Sequence, residues 1–365
     1  MRHISWIFVV FFAFAGIAAC PGTASAYQIG GRFGASCHET IGLAAFLLVM
    51  PTMLKNEEYI VLPTDNTTLK LIEQVRKQIR NLDGSELTTK QAFIMASLLA
   101  GVRAPDTEGH ASTNLAHTRA EHSDPDDDAQ YIHFLRGKND DYQDGAAKAV
   151  HGSRELFKAL LRKALSFRSV TGSTGNIHVS LFLDYYGMVD LELNGVAYYF
   201  GIVAHQTADS FSHTVRSEAD DFMKIIDVMN YVEAIFPGYD SDRDGLRHSD
   251  AYDNCNDDDI APLVEKAKQA SMELTQVFKE YYLTQDETVL DAFAERWFTL
   301  REDCYGNYAL CNSEQWLDIA KSDETHAYLE CASTPERTAP WSAFAAFGLL
   351  LALGAWGVVR RRRSR

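Results

Sequence analysis

The stretch AYYFGIVAHQTADSFSHT, residues 197–214, decides how this chain is read. His205, Asp209 and His213 recur every four residues, and at about 100° per residue an α-helix places them within an arc of about 80°. Three side chains that can donate to a metal thus share one face. Tyr198, Phe200, Ile202, Val203 and Phe211 make the same segment strongly apolar, so it reads as an interior helix rather than a polar face in water. Ala197, Gly201, Ala204 and Ala208 are small, which lets neighbouring helices approach a face otherwise crowded by imidazole rings. Zinc takes imidazole nitrogen and carboxylate oxygen at about 2.0–2.2 Å, and a His-x-x-x-Asp-x-x-x-His face offers both from one support.

Helix-period apolar spacing recurs on both sides of this segment, over residues 39–54, 69–80, 89–100, 146–167, 195–213, 220–235, 262–282 and 287–301. Alternating strand patterns are scarce, residues 178–183 being the best short candidate, after a loop at 172–176. The fold class expected is mostly α, a multi-helix single domain over residues 27–330, without internal repeats. A chain of 365 residues with 46% hydrophobic and 23% charged residues can bury a large core, which excludes a disordered or collagen-like protein. The formal charge is −16, and because six arginines lie in the two end segments, residues 27–337 carry −22. Long duplex nucleic acid is not attracted to such a body.

Residues 1–26 read as a signal peptide: Arg2, an apolar run over 7–19, and a small-residue cleavage site at Ala24-Ser25-Ala26 that leaves Tyr27 as the first residue. Ile17-Ala18-Ala19-Cys20 offers a rival start in which Cys20 is lipidated. After a linker at 331–340, residues 341–359 are free of charge and long enough for a hydrocarbon core of about 30 Å. The basic tail 360–365 follows, so the domain is expected outside and the tail inside. A plain membrane anchor and a sorting tag removed during processing both fit. The expected location is the cell surface or periplasm, with the protein anchored or released after tail processing. Export permits disulfides, and Cys304 and Cys311 are close enough to close a small loop. Once Cys20 leaves with the signal, five cysteines remain, so one is left over and connectivity stays open.

Asp106 is followed by His110, His117, His122 and His133, four histidines in 24 residues, of which one is expected to be a ligand. His38 opens an amphipathic helix close to Tyr27. The order of His38, Ala104-Pro105-Asp106, His122-Ser123-Asp124-Pro125-Asp126 and the His205/Asp209/His213 helix resembles the zinc-dependent phospholipase C family. The trinuclear-zinc single-strand nucleases share that family's all-α fold. The resemblance implies zinc, two or three ions. Asp106, His122, His205 and Asp209 would surround one, while Tyr27, through its amine and carbonyl oxygen, would join His38 and the shared Asp209 at another. His213 and His248 would begin a third, with Asp253 as the nearest acid. Two departures stand out. The helix histidine comes four residues after the aspartate rather than six, and the position four after His248, where the family has an acid, is Tyr252.

Asp240, Asp242 and Asp244 with Gly245 have the spacing of a calcium loop, with Asp250 or Asp253 as closing ligands. The position-twelve glutamate is Ala251, and a merely solvated acidic loop over residues 240–259 is the alternative. The resemblance implies a phosphodiesterase in which Asp106 orients or deprotonates the attacking water, with phospholipid or another phosphodiester as substrate. A single-strand nuclease of the same fold, or a surface-anchored metal-binding protein without turnover, are the alternatives.

Overall fold

Two helices with almost no solvent-facing side organise the molecule. The computed structural model describes residues 37–54, 60–111, 129–137, 142–168, 175–183, 186–230, 245–253 and 255–322. In chain order these form α1 (Cys37–Met53), α2 (Asn66–Gln78), α3 (Thr89–Thr107), α4 (Ala129–Ile132), α5 (Tyr142–Ser166), β1 (Asn176–Leu183) and β2 (Gly187–Asn194). There follow α6 (Gly195–Ser212), β3 (Thr214–Arg216), β4 (Ile225–Val228), α7 (Asp250–Asp253), α8 (Ala261–Thr284), α9 (Thr288–Trp297) and α10 (Glu314–Ser322). Helical residues make up 65% of those described, so the fold is mostly α. Among the described residues no helix is long and apolar enough to cross a membrane, and the segment expected to be a signal, the apolar segment 341–359 and the basic tail lie outside them.

α3 and α6 are the central pair, with α1, α5 and α8 packed around α6. Residues 92–105 of α3 are all buried, and in α6 only Tyr199 is partly exposed. Helices enclosed on every side have no polar face to reveal their period. That is why α3 runs past the expected end at residue 100 to Thr107, carrying Pro105 in its last turn and delivering Asp106. Its start is fixed by a capping box in which the Thr88 side chain accepts from the Gln91 amide and Gln91 returns the bond. α6 starts where β2 ends: Asn194 is the last strand residue and its side chain accepts from the Ala197 amide.

Strand β1 forms where residues 178–183 predict one, and it pairs antiparallel with β2, in register from Asn176 opposite Asn194 to Leu183 opposite Gly187. The helix expected over residues 220–235 does not form in its described part, residues 220–230. Asp221 and Phe222 sit at φ 54° and 60°, which ends any helical run there. The β-branched Ile225, Ile226 and Val228 then extend as β4 against β3, while Arg301 donates its amide to the Ile225 carbonyl. Residues 231–235 lie outside the described part. The helix expected to reach residue 301 stops at Trp297.

The expected small-residue approach is realised where α3 crosses α6. A Cβ on Gly101 would lie 2.0 Å from the Tyr198 carbonyl oxygen, and one on Gly201 would lie 2.2 Å from that of Leu98. The backbones touch without intervening side chains. Replacement Gly201→Ala is expected to destabilise the protein by about 3 kcal/mol or more, since a packed backbone cannot yield as a side chain does. Denaturant unfolding checks this, and an unchanged midpoint would refute the close crossing.

Candidate metal centre

Asp209 stands on the buried side of α6 with both carboxylate oxygens occupied by imidazoles. Its Oδ2 lies 2.9 Å from His205 Nε2, 3.0 Å from His133 Nδ1 and 3.9 Å from His213 Nδ1, while Oδ1 lies 3.1 Å from His38 Nε2. His205 Nε2 and His133 Nδ1 are themselves 3.2 Å apart. Two sets of side chains come together closely enough to hold a metal ion: His38 with Asp106 and His205, and His133 with His205 and Asp209.

Donor spacing tests the fit. With bonds of about 2.0–2.1 Å, the ligand atoms of one tetrahedral ion lie roughly 3.3 Å apart, and those of an octahedral one about 2.9 Å apart. The triangle of His205 Nε2, His133 Nδ1 and Asp209 Oδ2 has sides of 2.9, 3.0 and 3.2 Å. The donor set therefore fits an ion, and its nitrogen and oxygen composition suits several divalent metals.

The candidate ligands are delivered by several elements. His205 and Asp209 come from α6 one turn apart, and His213, just beyond its last residue, donates its backbone N–H to the Asp209 carbonyl. His38 is the second residue of α1, with its ring 4.2 Å from that of His205. Asp106 comes from the last turn of α3. His133 follows α4, whose Tyr131 carbonyl accepts from Ser153 Oγ of α5 and Gln206 Nε2 of α6. His213 Nδ1 donates to the His133 carbonyl; a carbonyl only accepts, so Nδ1 carries a proton and Nε2 is the nitrogen left for other partners. His248 is buried with its ring 4.9 Å from that of His213.

The structure thus joins His38, Asp106, His205, Asp209 and His213, and sets His248 beside His213. Tyr27, His122, Asp240, Asp242 and Asp244 lie outside the described residues, as do the side chains of Asp250 and Asp253 in α7. Tyr252 turns away from the site into a second core, where its hydroxyl donates to the Trp316 carbonyl. His133 is the residue that sequence reasoning passed over in favour of His122. The signal was its setting: Tyr131, Ile132, Phe134 and Leu135 flank it, whereas His122 sits among polar residues.

Burial pulls the His205 imidazolium down, yet Asp209 and Asp106 beside it outweigh this and push its pKa up to about 9. His38 goes the opposite way, lowered by burial and by the charge of His205. Asp209 is held well below the usual carboxylate range; burial opposes its ionisation, but His205, His213 and His38 overcome that cost. Asp106 is the open side of the cluster: its side chain is 15% exposed, against 0–3% for His38, His133, His205, Asp209 and His213.

The chain matches no protein-family model, no curated protein and no solved structure. A divalent ion entering this site must displace the proton that His205 holds below about pH 9. Metal affinity is therefore expected to rise about tenfold per pH unit from pH 6 to 8 for each proton released. Competition against a chelator of known affinity measures this, and a flat profile would mean that the imidazoles are not the ligands.

Proposed function

We propose that this chain is an exported, zinc-dependent phosphodiesterase that hydrolyses phospholipid head groups in the manner of the phospholipases C it resembles. The supporting observation is the two-sided environment of Asp209, with His38 at one oxygen and His133 and His205 at the other. That is the arrangement of a carboxylate shared between two ions, the role the resemblance implies for Asp209. His213 with His248 lies next to it and suits a third.

Zinc held here supplies Lewis acidity toward a phosphoryl oxygen and makes water acidic enough to attack near neutral pH. The chain's own residues do the rest. Asp106, on the exposed side, orients the attacking water and accepts its proton. The water oxygen bonds to phosphorus as the ester oxygen on the diacylglycerol side departs, and that oxygen takes up a proton to leave as the alcohol of diacylglycerol. The buried rings of His38, His133 and His205 keep bulk water from the inner face. A domain of charge −22 repels polyanions at long range, whereas a zwitterionic head group meets little repulsion. Disulfides Cys37–Cys255 and Cys304–Cys311 support the exported location, as does the signal-like start.

Elemental analysis of the purified chain should find two or three zinc ions per molecule, and incubation with lecithin should release phosphocholine. Asp209→Asn is expected to lose zinc, and Asp106→Asn to lower turnover by roughly a hundredfold or more. A chain that takes up no metal overturns the reading. Stoichiometric zinc with cleavage of single-stranded nucleic acid in place of lecithin moves it to the nuclease branch, and zinc with neither activity to a binding protein.

A further inference from the structure

Three consecutive residues at the start of α1 are tied to three different parts of the molecule. Cys37 is bonded to Cys255, His38 faces Asp209 of α6, and Glu39 forms an ion pair with Nε of Arg103 of α3. Glu39 is fully buried and Arg103 nearly so. Removing two charges from water is expensive, and their mutual attraction commonly no more than balances that cost, so such a pair is poor evidence of a stabilising role. Its location is more telling. Glu39 adjoins His38, and Arg103 precedes Asp106 by three residues on the same helix, where i and i+3 side chains are neighbours.

We propose that Glu39 and Arg103 are positioning residues for the metal centre. The inference rests on the metal-site reading above. Two helices that meet at one point can still rotate and slide about it. α1 and α3 already meet where His38 and Asp106 converge. The Glu39–Arg103 pair adds a second point, about one helical turn away along α3, and so fixes both the rotation of α1 and its slide. His38 Nε2 and the Asp106 carboxylate then stand in register before an ion arrives. A guanidinium suits this task because its planar fork is directional, whereas an ammonium is a point charge.

The test separates positioning from stability. Glu39→Met with Arg103→Met replaces the pair by apolar side chains of similar length, a change that often leaves a buried site as stable as before or more so. Zinc affinity of the full chain is measured by chelator competition, the visible spectrum of the Co²⁺-loaded protein reports ligand geometry, and metal-free thermal unfolding reports stability. The expected result is unchanged or improved metal-free stability with zinc affinity reduced roughly ten- to a hundredfold and an altered Co²⁺ spectrum. A double variant that folds and binds zinc as the original does overturns the proposal. Should the double variant fail to fold, Arg103→Lys decides, since it keeps the charge and loses the fork: weakened zinc affinity supports positioning, and unchanged affinity overturns it. If the original chain binds no zinc, the metal reading falls and this one with it. If it binds zinc and the variants do as well, only the positioning role falls.

Discussion

The interior holds one carboxylate in its ionised form, and the surrounding side chains are arranged around that constraint. Asp209 is 1% exposed, and an isolated charge at that depth would cost several kcal/mol. What offsets the cost is a ring of imidazoles drawn from three separate places in the chain: His38, His133, and the pair His205 and His213 that flank Asp209 on its own helix. Each alone is weakly basic. Together they hold Asp209 well below its usual pKa, and Asp209 together with Asp106 raises His205 in return. The exchange is reciprocal, so the charge state of each depends on its neighbours.

Convergence at that depth demands that backbones come close, and the sequence provides for it in small residues. Gly101 and Gly201 let α3 lie directly on α6, which is what brings the last turn of α3, with Asp106, within reach of a histidine on α6. The disulfide Cys37–Cys255 acts from the other direction. It joins residues 218 apart and ties the start of α1, one residue before His38, to the segment that follows α7. Closing so long a loop removes much of the freedom the unfolded chain would otherwise have.

How much of this was legible depended on whether a feature was local. The His205/Asp209/His213 face is a matter of helical period within a single segment, and it reads directly from the spacing. The gathering of His38 and Asp106 onto that face was reached through resemblance, since nothing in their own surroundings points at residue 209. His133 was missed because spacing over a loop carries no geometry; its apolar neighbours showed that it was buried, without showing where. The sequence around β4 suggests a helix because an apolar run such as Ile225-Ile226 fits either period, and the left-handed Asp221 and Phe222 that decide the matter carry no glycine to announce them. The pairing of Cys37 with Cys255 was equally hidden, whereas Cys304 with Cys311 could be suspected from a separation of seven.

An ion held by these residues would couple its binding to folding. In the metal-free protein His205 retains a proton that an ion would displace, and imidazole nitrogens only 3.2 Å apart need a proton or a cation between them. An ion that binds only the folded chain stabilises it by RT ln(1 + [L]/Kd), about 4 kcal/mol at a thousandfold excess over Kd. That is a large share of a typical domain's stability. The disulfide at Cys37 and the Glu39–Arg103 pair tie α1 down without any ion, so part of the cost of ordering such a site would be met before a metal bound. A candidate site whose residues come from four stretches of chain can then be both deeply buried and preorganised.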